Sequence, residues 1–200
     1  SDPGSQEAAA AKVFVLATNY RSRMDLWHSG CGPALLPLLS SSSSGCKRVA
    51  AAAVSNLSCM AQLGGLLYNA GALAPLLSLA IGGQQVTGSG ERQPPPLQEG
   101  EEESTRAYAC QAITNMVCHQ RECGSSIAVR PGLVYALAST ARSVSGSGIW
   151  LRVASLGVLT NMSFPAECQA AVVAQGGVEA ALEILRGSIS GDAGAQTINF

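Results

Sequence analysis

Charged and aromatic residues are scarce in this chain of 200 residues. Asp, Glu, Lys and Arg together make up 12 % of the sequence and aromatic residues 4 %, whereas hydrophobic residues reach 47 %. A chain this apolar is not disordered, and the shortage of aromatic residues disfavours a β-sandwich. The net charge of −1 disfavours a globally basic nucleic-acid-binding protein. We therefore expect short, tightly packed helices whose core consists of small and aliphatic side chains.

Long hydrophobic runs and catalytic motifs are also missing. No apolar run reaches the roughly 18 residues that indicate a membrane-spanning helix. The sequence contains no Gly-x-Ser-x-Gly elbow, no phosphate-binding loop of the GxxxxGK(S/T) type and no GxGxxG after a strand. We therefore predict that the chain is not an enzyme, does not insert into a membrane, and uses no cofactor or small-molecule substrate.

The seven cysteines do not form a metal-ligand pattern. Cys118, His119 and Cys123 cluster in the sequence, but they lack the paired Cys-x2-Cys spacing of a structural zinc site. Cys110 and Cys118 instead fit the packing pattern of a helix. We predict no metal site and mostly buried, reduced thiols, as in a cytoplasmic protein, with a nuclear location as the alternative.

A short motif recurs four times and consists of a hydroxyl residue, an asparagine and an apolar residue. Its asparagines are Asn19, Asn56, Asn115 and Asn161. Each asparagine follows a run of small or apolar residues, and the positions two and six before it lie on one helical face. These runs lack the period of two that is typical of a strand. Each asparagine is therefore predicted to lie near the end of a helix.

A second motif follows each asparagine and consists of a glycine with a leucine five residues later. The pairs are Gly30/Leu35, Gly71/Leu76, Gly132/Leu137 and Gly177/Leu182. Glycine can end one helix in a left-handed conformation and allow the next to begin at an angle. Each unit is therefore predicted to contain a short helix, a glycine turn, a second helix, a polar loop and a third helix that ends in the asparagine motif.

The intervals between asparagines reveal one insertion. Successive asparagines are 37, 59 and 46 residues apart, and the longest interval contains the Gly-, Ser- and Pro-rich residues 82–104. We predict that this insert is a disordered surface loop. It carries five acidic residues and one basic residue, whereas the rest of the chain carries eight acidic and eleven basic residues. Two hypotheses remain: the insert folds back and competes with an acidic partner, or it is a solvated spacer.

The repeated units resemble the armadillo repeat family. The resemblance covers roughly residues 8–200 apart from the insert, and the segments 49–58, 71–77, 151–163 and 177–182 carry it most clearly. It implies an all-α fold, a right-handed α-solenoid of three-helix armadillo repeats. Residues 1–200 would then form one domain of about four repeats and the start of a fifth at Asn199. An open solenoid end leads us to expect a fragment of a longer protein.

The resemblance also implies a binding site. In importin-alpha-like and beta-catenin-like members, the asparagine of the third helix holds the main chain of an extended peptide. Carried over, that ladder consists of Asn19, Asn56, Asn115 and Asn161. A carboxamide offers both a donor and an acceptor to a peptide unit, but it could equally cap its helix and bond the neighbouring repeat. Arg48, Tyr108 and Gln111 fall on the asparagine face and are further candidates for partner binding.

The sequence departs from importin-alpha-like proteins four residues before each asparagine, where those proteins place tryptophan. The residues at this position are Val15, Ala52, Gln111 and Gly157. We therefore expect no binding of classical nuclear localisation signals and a shallow, aliphatic groove floor. Lys47, Arg106 and Arg152 lie nine residues before their asparagines, so they should point away from the groove and bond carbonyls of the preceding repeat.

These features favour a protein-interaction scaffold or adaptor that binds an extended or helical segment of a partner protein. One alternative is a regulatory or targeting domain of a larger enzyme, which the full-length sequence would reveal. A second alternative is a chaperone cofactor that binds a folded protein. Comparing peptide pulldown with binding of folded partners would separate the scaffold from the chaperone cofactor.

Overall fold

The computed structural model describes residues 2–82, 101–130, 132–143 and 148–190. Within these ranges the secondary structure is helical. The helices are α1 (Pro3–Ala17), α2 (Ser22–His28), α3 (Cys31–Leu35), the 3-10 helix η1 (Leu36–Ser40), α4 (Ser44–Ser58), α5 (Ala61–Asn69), α6 (Leu73–Ala80), α7 (Glu101–His119), α8 (Arg121–Ala128), α9 (Leu133–Ser143), α10 (Ile149–Met162), α11 (Ala166–Ala174) and α12 (Gly177–Ser190).

The helices repeat in the predicted order. A short helix, a glycine turn, a second helix and a longer third helix occur in α2 to α4, in α5 to α7 and in α8 to α10. Helix α1 precedes these three sets, and α11 and α12 follow them. The third helices pack in sequence, with α4 between α1 and α7, and α7 between α4 and α10. The predicted all-α solenoid of stacked helical units is therefore confirmed.

Small side chains allow the third helices to pack closely. Ala50, Ala51 and Ala53 of α4 are fully buried, and Val54 is buried beside them. A helix with such short side chains on several faces can be covered on both sides by neighbouring helices. This packing explains why a chain with few aromatic residues still forms one continuous hydrophobic core.

Glycine turns connect the first and second helices of each unit. Gly30, Gly71 and Gly132 have φ angles of 84°, 84° and 77°, in the left-handed region that favours glycine. In the last unit the residue with this conformation is Gly176, with a φ of 83°, rather than the predicted Gly177. Gly177 instead begins α12, because the first of the two adjacent glycines already forms the turn.

The insert predicted at residues 82–104 lies largely outside the described residues. Helix α7 begins at Glu101, so the last four residues of the predicted insert belong to a helix instead of a loop. The fold-back hypothesis and the fifth motif at Asn199 also concern residues outside the described ranges. The count of four repeats and the start of a fifth therefore stays a prediction.

No single helix among the described residues is long and apolar enough to span a membrane. Helices α5 and α6 pass that test together, by length and composition only, and they are bent by 95° at the break between them.

The cysteines divide between the core and the surface. Cys46, Cys110, Cys123 and Cys168 are buried, Cys31 is half-buried, and Cys59 and Cys118 are exposed. The prediction of mostly buried thiols is confirmed, but the packing predicted for Cys118 is wrong. This residue lies in the last turn of α7, where its side chain is exposed.

Candidate partner-binding face

The third helices α4, α7 and α10 present their asparagine motifs on one side of the solenoid, which we call the third-helix face, and the Asn19 motif follows the end of α1. The four asparagines have different surroundings there. Asn19 is exposed, whereas Asn56, Asn115 and Asn161 are half-buried. Their hydrogen bonds show which carboxamides are already engaged within the protein.

The side chain of Asn115 connects α7 to α4 through hydrogen bonds. Its Nδ2 lies 3.1 Å from Ser58 Oγ and 3.3 Å from the backbone oxygen of Ser55, and 3.3 Å from Cys59 Sγ. Its Oδ1 accepts a hydrogen bond of 3.2 Å from Gln111 Nε2, one turn earlier on α7. The donor and the acceptor of this carboxamide are therefore both occupied by the protein itself.

Asn161 repeats part of this arrangement one unit later. Its Nδ2 donates a hydrogen bond of 2.9 Å to the backbone oxygen of Thr114 on α7. Thr114 and Ser55 are the hydroxyl residues that directly precede Asn115 and Asn56 in the motif. Each of these two asparagines thus bonds the motif carbonyl of the preceding third helix, which is the structural alternative that the sequence left open.

Asn56 does not follow this rule. By analogy with Asn115 and Asn161 it should donate to the motif carbonyl of Thr18. The structure gives the Asn56 side chain no hydrogen bond to any described residue. The backbone explains the difference, because α1 ends at Ala17 and Thr18 and Asn19 form a turn beyond it. Asn19 lies in that turn, where its Oδ1 accepts a 3.0 Å hydrogen bond from the Arg21 backbone N–H.

Aromatic rings cross the third-helix face. The Tyr108 ring of α7 makes an edge-to-face contact with Trp150 of α10 at a centroid distance of 4.5 Å, and a second contact with Phe14 of α1 at 6.4 Å. Trp150 is 43 % exposed. The expected aliphatic floor is therefore wrong around Tyr108. The row was missed because its three members occupy different positions relative to their asparagines, so no repeated aromatic position marks it in the sequence.

The guanidinium of Arg48 has fewer hydrogen-bond partners than donors. Its Nη2 lies 3.9 Å from Glu7 Oε1, and the two side chains are 38 % and 39 % exposed. Its Nε is buried and has no hydrogen-bond partner among the described residues. Glu7 reaches Arg48 by lying over Gly45 of α4, where a larger residue would force its carboxylate to move. The helical spacing identifies Arg48 as a candidate but not Glu7, because only the packing of α1 on α4 brings the two side chains together.

Arg106 points away from the third-helix face as predicted, but the partners predicted for it in the preceding repeat are wrong, because it bonds its own unit and the next one. It is 6 % exposed, its Nε donates a 3.1 Å hydrogen bond to the backbone oxygen of Ala80, and its Nη2 donates a 3.0 Å bond to Thr140 Oγ1. Ala80 ends α6, the second helix of the same unit, and Thr140 lies on α9 of the next. The buried guanidinium therefore joins adjacent layers of the solenoid and points away from the third-helix face.

The buried thiols have the environment of core residues. Burial raises the pKa of Cys110 to about 11 and that of Cys123 to about 12. Cys110 lies 3.6 Å from Ser155 Oγ of α10, within the contact between two third helices. These thiols stay protonated near neutral pH, which disfavours a role as nucleophiles. Among the described residues, no group of three or more His, Cys, Asp and Glu side chains has the arrangement of a metal site.

Comparison with known proteins agrees with this geometry. Residues 19–59 match the sequence model of the Armadillo/beta-catenin-like repeat. A search of the curated proteins returned no match.

Several engineered proteins of known structure have similar folds. An engineered protein of the Northeast Structural Genomics Consortium superimposes with a TM-score of 0.75 at 22 % identity, covering 96 % of this chain and 69 % of its own. A computationally designed armadillo repeat protein for modular peptide recognition gives 0.72 at 20 % identity, covering 96 % and 71 %. A designed armadillo repeat protein in complex with the peptide (KR)4 gives 0.73 at 19 % identity, covering 96 % and 72 %.

These matches confirm the resemblance that the asparagine and glycine motifs indicated. The described chain has the armadillo repeat fold, and residues 19–59 match the sequence model of the armadillo/beta-catenin-like repeat.

Proposed function

We propose that this protein is a non-enzymatic interaction scaffold that binds an extended segment of a partner protein along its third-helix face. The observation that carries the proposal is the free carboxamide of Asn56. It is half-buried on α4, and its donor and its acceptor have no partner among the described residues. Such a group can pair with both the N–H and the C=O of a peptide unit.

The surroundings of Asn56 favour a bound main chain. One turn earlier on α4 lies Ala52, which is 4 % exposed and has only a methyl group. One unit later, Asn115 is bonded to α4 and accepts a hydrogen bond from Gln111, so the two residues form a fixed polar edge beside the site. A preorganised edge of this kind reduces the entropy that a peptide loses to the protein on binding.

The structural neighbours support the same class of ligand. One is described as designed for modular peptide recognition, and another is in complex with a peptide. We extend peptide binding from those proteins to this chain as part of the proposal. We also propose the adaptor role and the cytoplasmic location, with the free thiols as the observation that favours a reducing compartment.

A displayed library of short random peptides tests the proposal directly. Peptides are selected on the unmodified chain, and the affinity of the enriched peptides is then measured for Asn56→Ala. We expect a loss of about tenfold, because the substitution removes two hydrogen bonds to the peptide main chain.

Asn69→Ala is the matched control, since Asn69 is an exposed asparagine at the end of α5 on another helix layer. Affinity should be unchanged in this variant. Failure to enrich any peptide, or equal affinities for Asn56→Ala and the unmodified chain, would refute the proposed function.

A further inference from the structure

We infer that the end of the described solenoid formed by α10, α11 and α12 is an interface at which two copies of this chain pack against each other. This surface differs from the third-helix face, so the interface does not depend on the proposed function. Three features point to it: side chains that are buried in earlier units and exposed in this one, the absence of charge among them, and the different composition of the opposite end of the solenoid.

The second helices α6, α9 and α12 allow the units to be compared position by position. The residues two, six and nine positions after the turn glycine lie on one helical face. In α6 and α9 these residues are at most 5 % exposed: Leu73, Leu77, Ala80, Val134, Ala138 and Ala141. In α12 they are Val178, Leu182 and Leu185, which are 44 %, 42 % and 61 % exposed.

The neighbouring helices cause this difference in exposure. Leu77 and Leu182 are the same residue type at the same position, yet only Leu77 is buried. Helix α6 is followed by another unit, whereas no helix follows α12 among the described residues. These positions are therefore the ones that the next unit covers when it is present.

The third helices show the same change. Cys110 of α7 faces the following third helix, because its Sγ lies 3.6 Å from Ser155 Oγ of α10. Ala107, one turn before Cys110, is 1 % exposed. The residue of α10 that lies, like Ala107, eight positions before the motif asparagine is Val153, and it is 60 % exposed. Ile149, one turn before Val153, is exposed as well.

The first helices extend this surface. The penultimate residue of α5 is Tyr68, whose hydroxyl lies 2.7 Å from Ser126 Oγ of α8 in the following unit. The penultimate residue of α8, Ile127, is fully buried, whereas that of α11, Val173, is exposed. We call the exposed apolar residues of the three helices the end face: Ile149, Val153, Val173, Val178, Leu182 and Leu185. The end face therefore continues the contact that joins successive units.

The end face carries no charged residue. Its members are valine, leucine and isoleucine, and Glu183, next to Leu182, lies 3.7 Å from Arg142 Nε of the preceding unit. Two identical surfaces that meet around a two-fold axis must be complementary to themselves, so a face with charges of one sign would repel its own copy. The uncharged end face avoids this repulsion, and each copy removes the apolar surface of the other from water.

The opposite end of the described solenoid does not match the end face. There α1 is a third helix without a first and a second helix among the described residues. Its exposed residues include Lys12, one turn before Leu16. Head-to-tail packing would therefore set one helix with a lysine against three apolar helices. Two copies of the end face instead set three helices against three, so a second copy is the occupant whose surface the structure itself supplies.

Sedimentation equilibrium of the full chain tests the inference. We expect a dimer with twice the 20.4 kDa mass of one chain, and a Kd of about 10 μM for a modest apolar interface. Leu182→Glu should weaken the dimer at least about 100-fold, because the two-fold axis places the unpaired carboxylate in the interface twice. Leu182→Ala keeps the interface uncharged and should weaken the dimer about tenfold, since it removes apolar contact from both copies.

Leu16→Glu is the matched control, because Leu16 is an exposed leucine on α1 at the opposite end of the described solenoid. This variant should form the dimer as tightly as the unmodified chain. Circular dichroism and the thermal midpoint establish that each variant is folded. The affinity of Leu182→Glu for the enriched peptides should equal that of the unmodified chain, since Asn56 lies on the third-helix face.

Three outcomes would overturn the inference. A full chain that stays monomeric at its highest soluble concentration would show that the end face is not an interface between copies. A dimer that Leu182→Glu does not weaken would place the contact elsewhere on the molecule. Equal weakening by Leu182→Glu and Leu16→Glu would indicate head-to-tail packing. None of these outcomes changes the peptide selection, so the proposed function stands or fails separately.

Discussion

Helices α4 and α7 carry the same sequence features at the same positions, yet they use them differently. Both have a hydroxyl residue and an asparagine near the C-terminal end, and a cation nine residues before the asparagine. On α7 the asparagine and Arg106 bond neighbouring helices. On α4 the side chains of Asn56 and Lys47 make no hydrogen bond to any described residue.

The difference shows that the preceding unit decides what the asparagine does. The carboxamides of Asn115 and Asn161 reach a motif carbonyl because the third helix before each of them is regular at that point. Asn56 faces α1, which ends before its motif begins. In this chain the asparagine bonds the preceding unit where a third helix continues through its own motif, and it makes no such bond where the preceding helix stops early.

The largest expected effect concerns the two cations. Replacing Arg106 by methionine should lower the free energy of unfolding by about 3 kcal/mol, because the Ala80 carbonyl and the Thr140 hydroxyl lose a charged donor in a buried site. Replacing Lys47 by methionine at the equivalent position of α4 should change it by less than about 0.5 kcal/mol. Urea denaturation of both variants measures these free energies. Similar decreases for the two variants would contradict the difference described between α4 and α7.

The second effect concerns the two asparagines. Asn115→Ala should lower the free energy of unfolding by about 1–2 kcal/mol, since Ser58 and Gln111 lose their partner. Asn56→Ala should change it by no more than about 0.5 kcal/mol. Chemical denaturation monitored by circular dichroism distinguishes the two, and a larger loss for Asn56→Ala would contradict the assignment.

The aromatic row gives a third, smaller effect. Tyr108→Leu should lower the free energy of unfolding by about 1 kcal/mol, because two edge-to-face ring contacts are lost. Tyr108→Phe keeps the ring and removes only a hydroxyl without a partner, so its stability should match that of the unmodified protein. Thermal unfolding of the two variants tests whether the ring or the hydroxyl contributes to stability. A lower unfolding temperature for Tyr108→Phe would contradict the claim that the hydroxyl has no hydrogen-bond partner.

The smallest expected effect concerns the alkylation of two cysteines, Cys59 and Cys110. Cys59, just after α4, is exposed and should react with an alkylating reagent in the folded protein. Burial raises the pKa of Cys110, on the α7 side that contacts α10, to about 11, so this thiol should be protected until the protein unfolds. Mass spectrometry of the alkylated peptides measures both. Equal labelling of the two would show that the α7–α10 contact is more open than described.

Sequence reasoning predicted the order of helices and most of the turns. The asparagine and glycine motifs recur because each unit must end a third helix and turn sharply between its first two helices. The residue types at these positions therefore indicate the backbone conformation. The predicted turn glycine was wrong by one residue, because Gly176 and Gly177 are adjacent and the turn is at Gly176. The predicted end of the insert was also wrong, because the charged residues from Glu101 onwards belong to α7.

The candidate site was less predictable because it depends on contacts between units. The sequence identified all four asparagines but could not distinguish Asn56 from Asn115, since the distinction lies in where α1 ends. Glu7 and Phe14 were missed for the same reason, because only packing brings α1 against Arg48 and Tyr108. The direction of Arg106 was predicted correctly because nine residues on a helix fix it regardless of neighbours, whereas its partners in the same and the next unit were not predicted.

The most direct test of the central claim is hydrogen exchange at the side-chain carboxamides, followed by nuclear magnetic resonance. An N–H that donates to a buried carbonyl exchanges slowly, and one that faces solvent exchanges fast. We predict slow exchange for the Asn115 and Asn161 carboxamides, fast exchange for Asn56, and slowing of Asn56 when an enriched peptide is added. Slow exchange of Asn56 in the free protein, at the rate of Asn115, would contradict it.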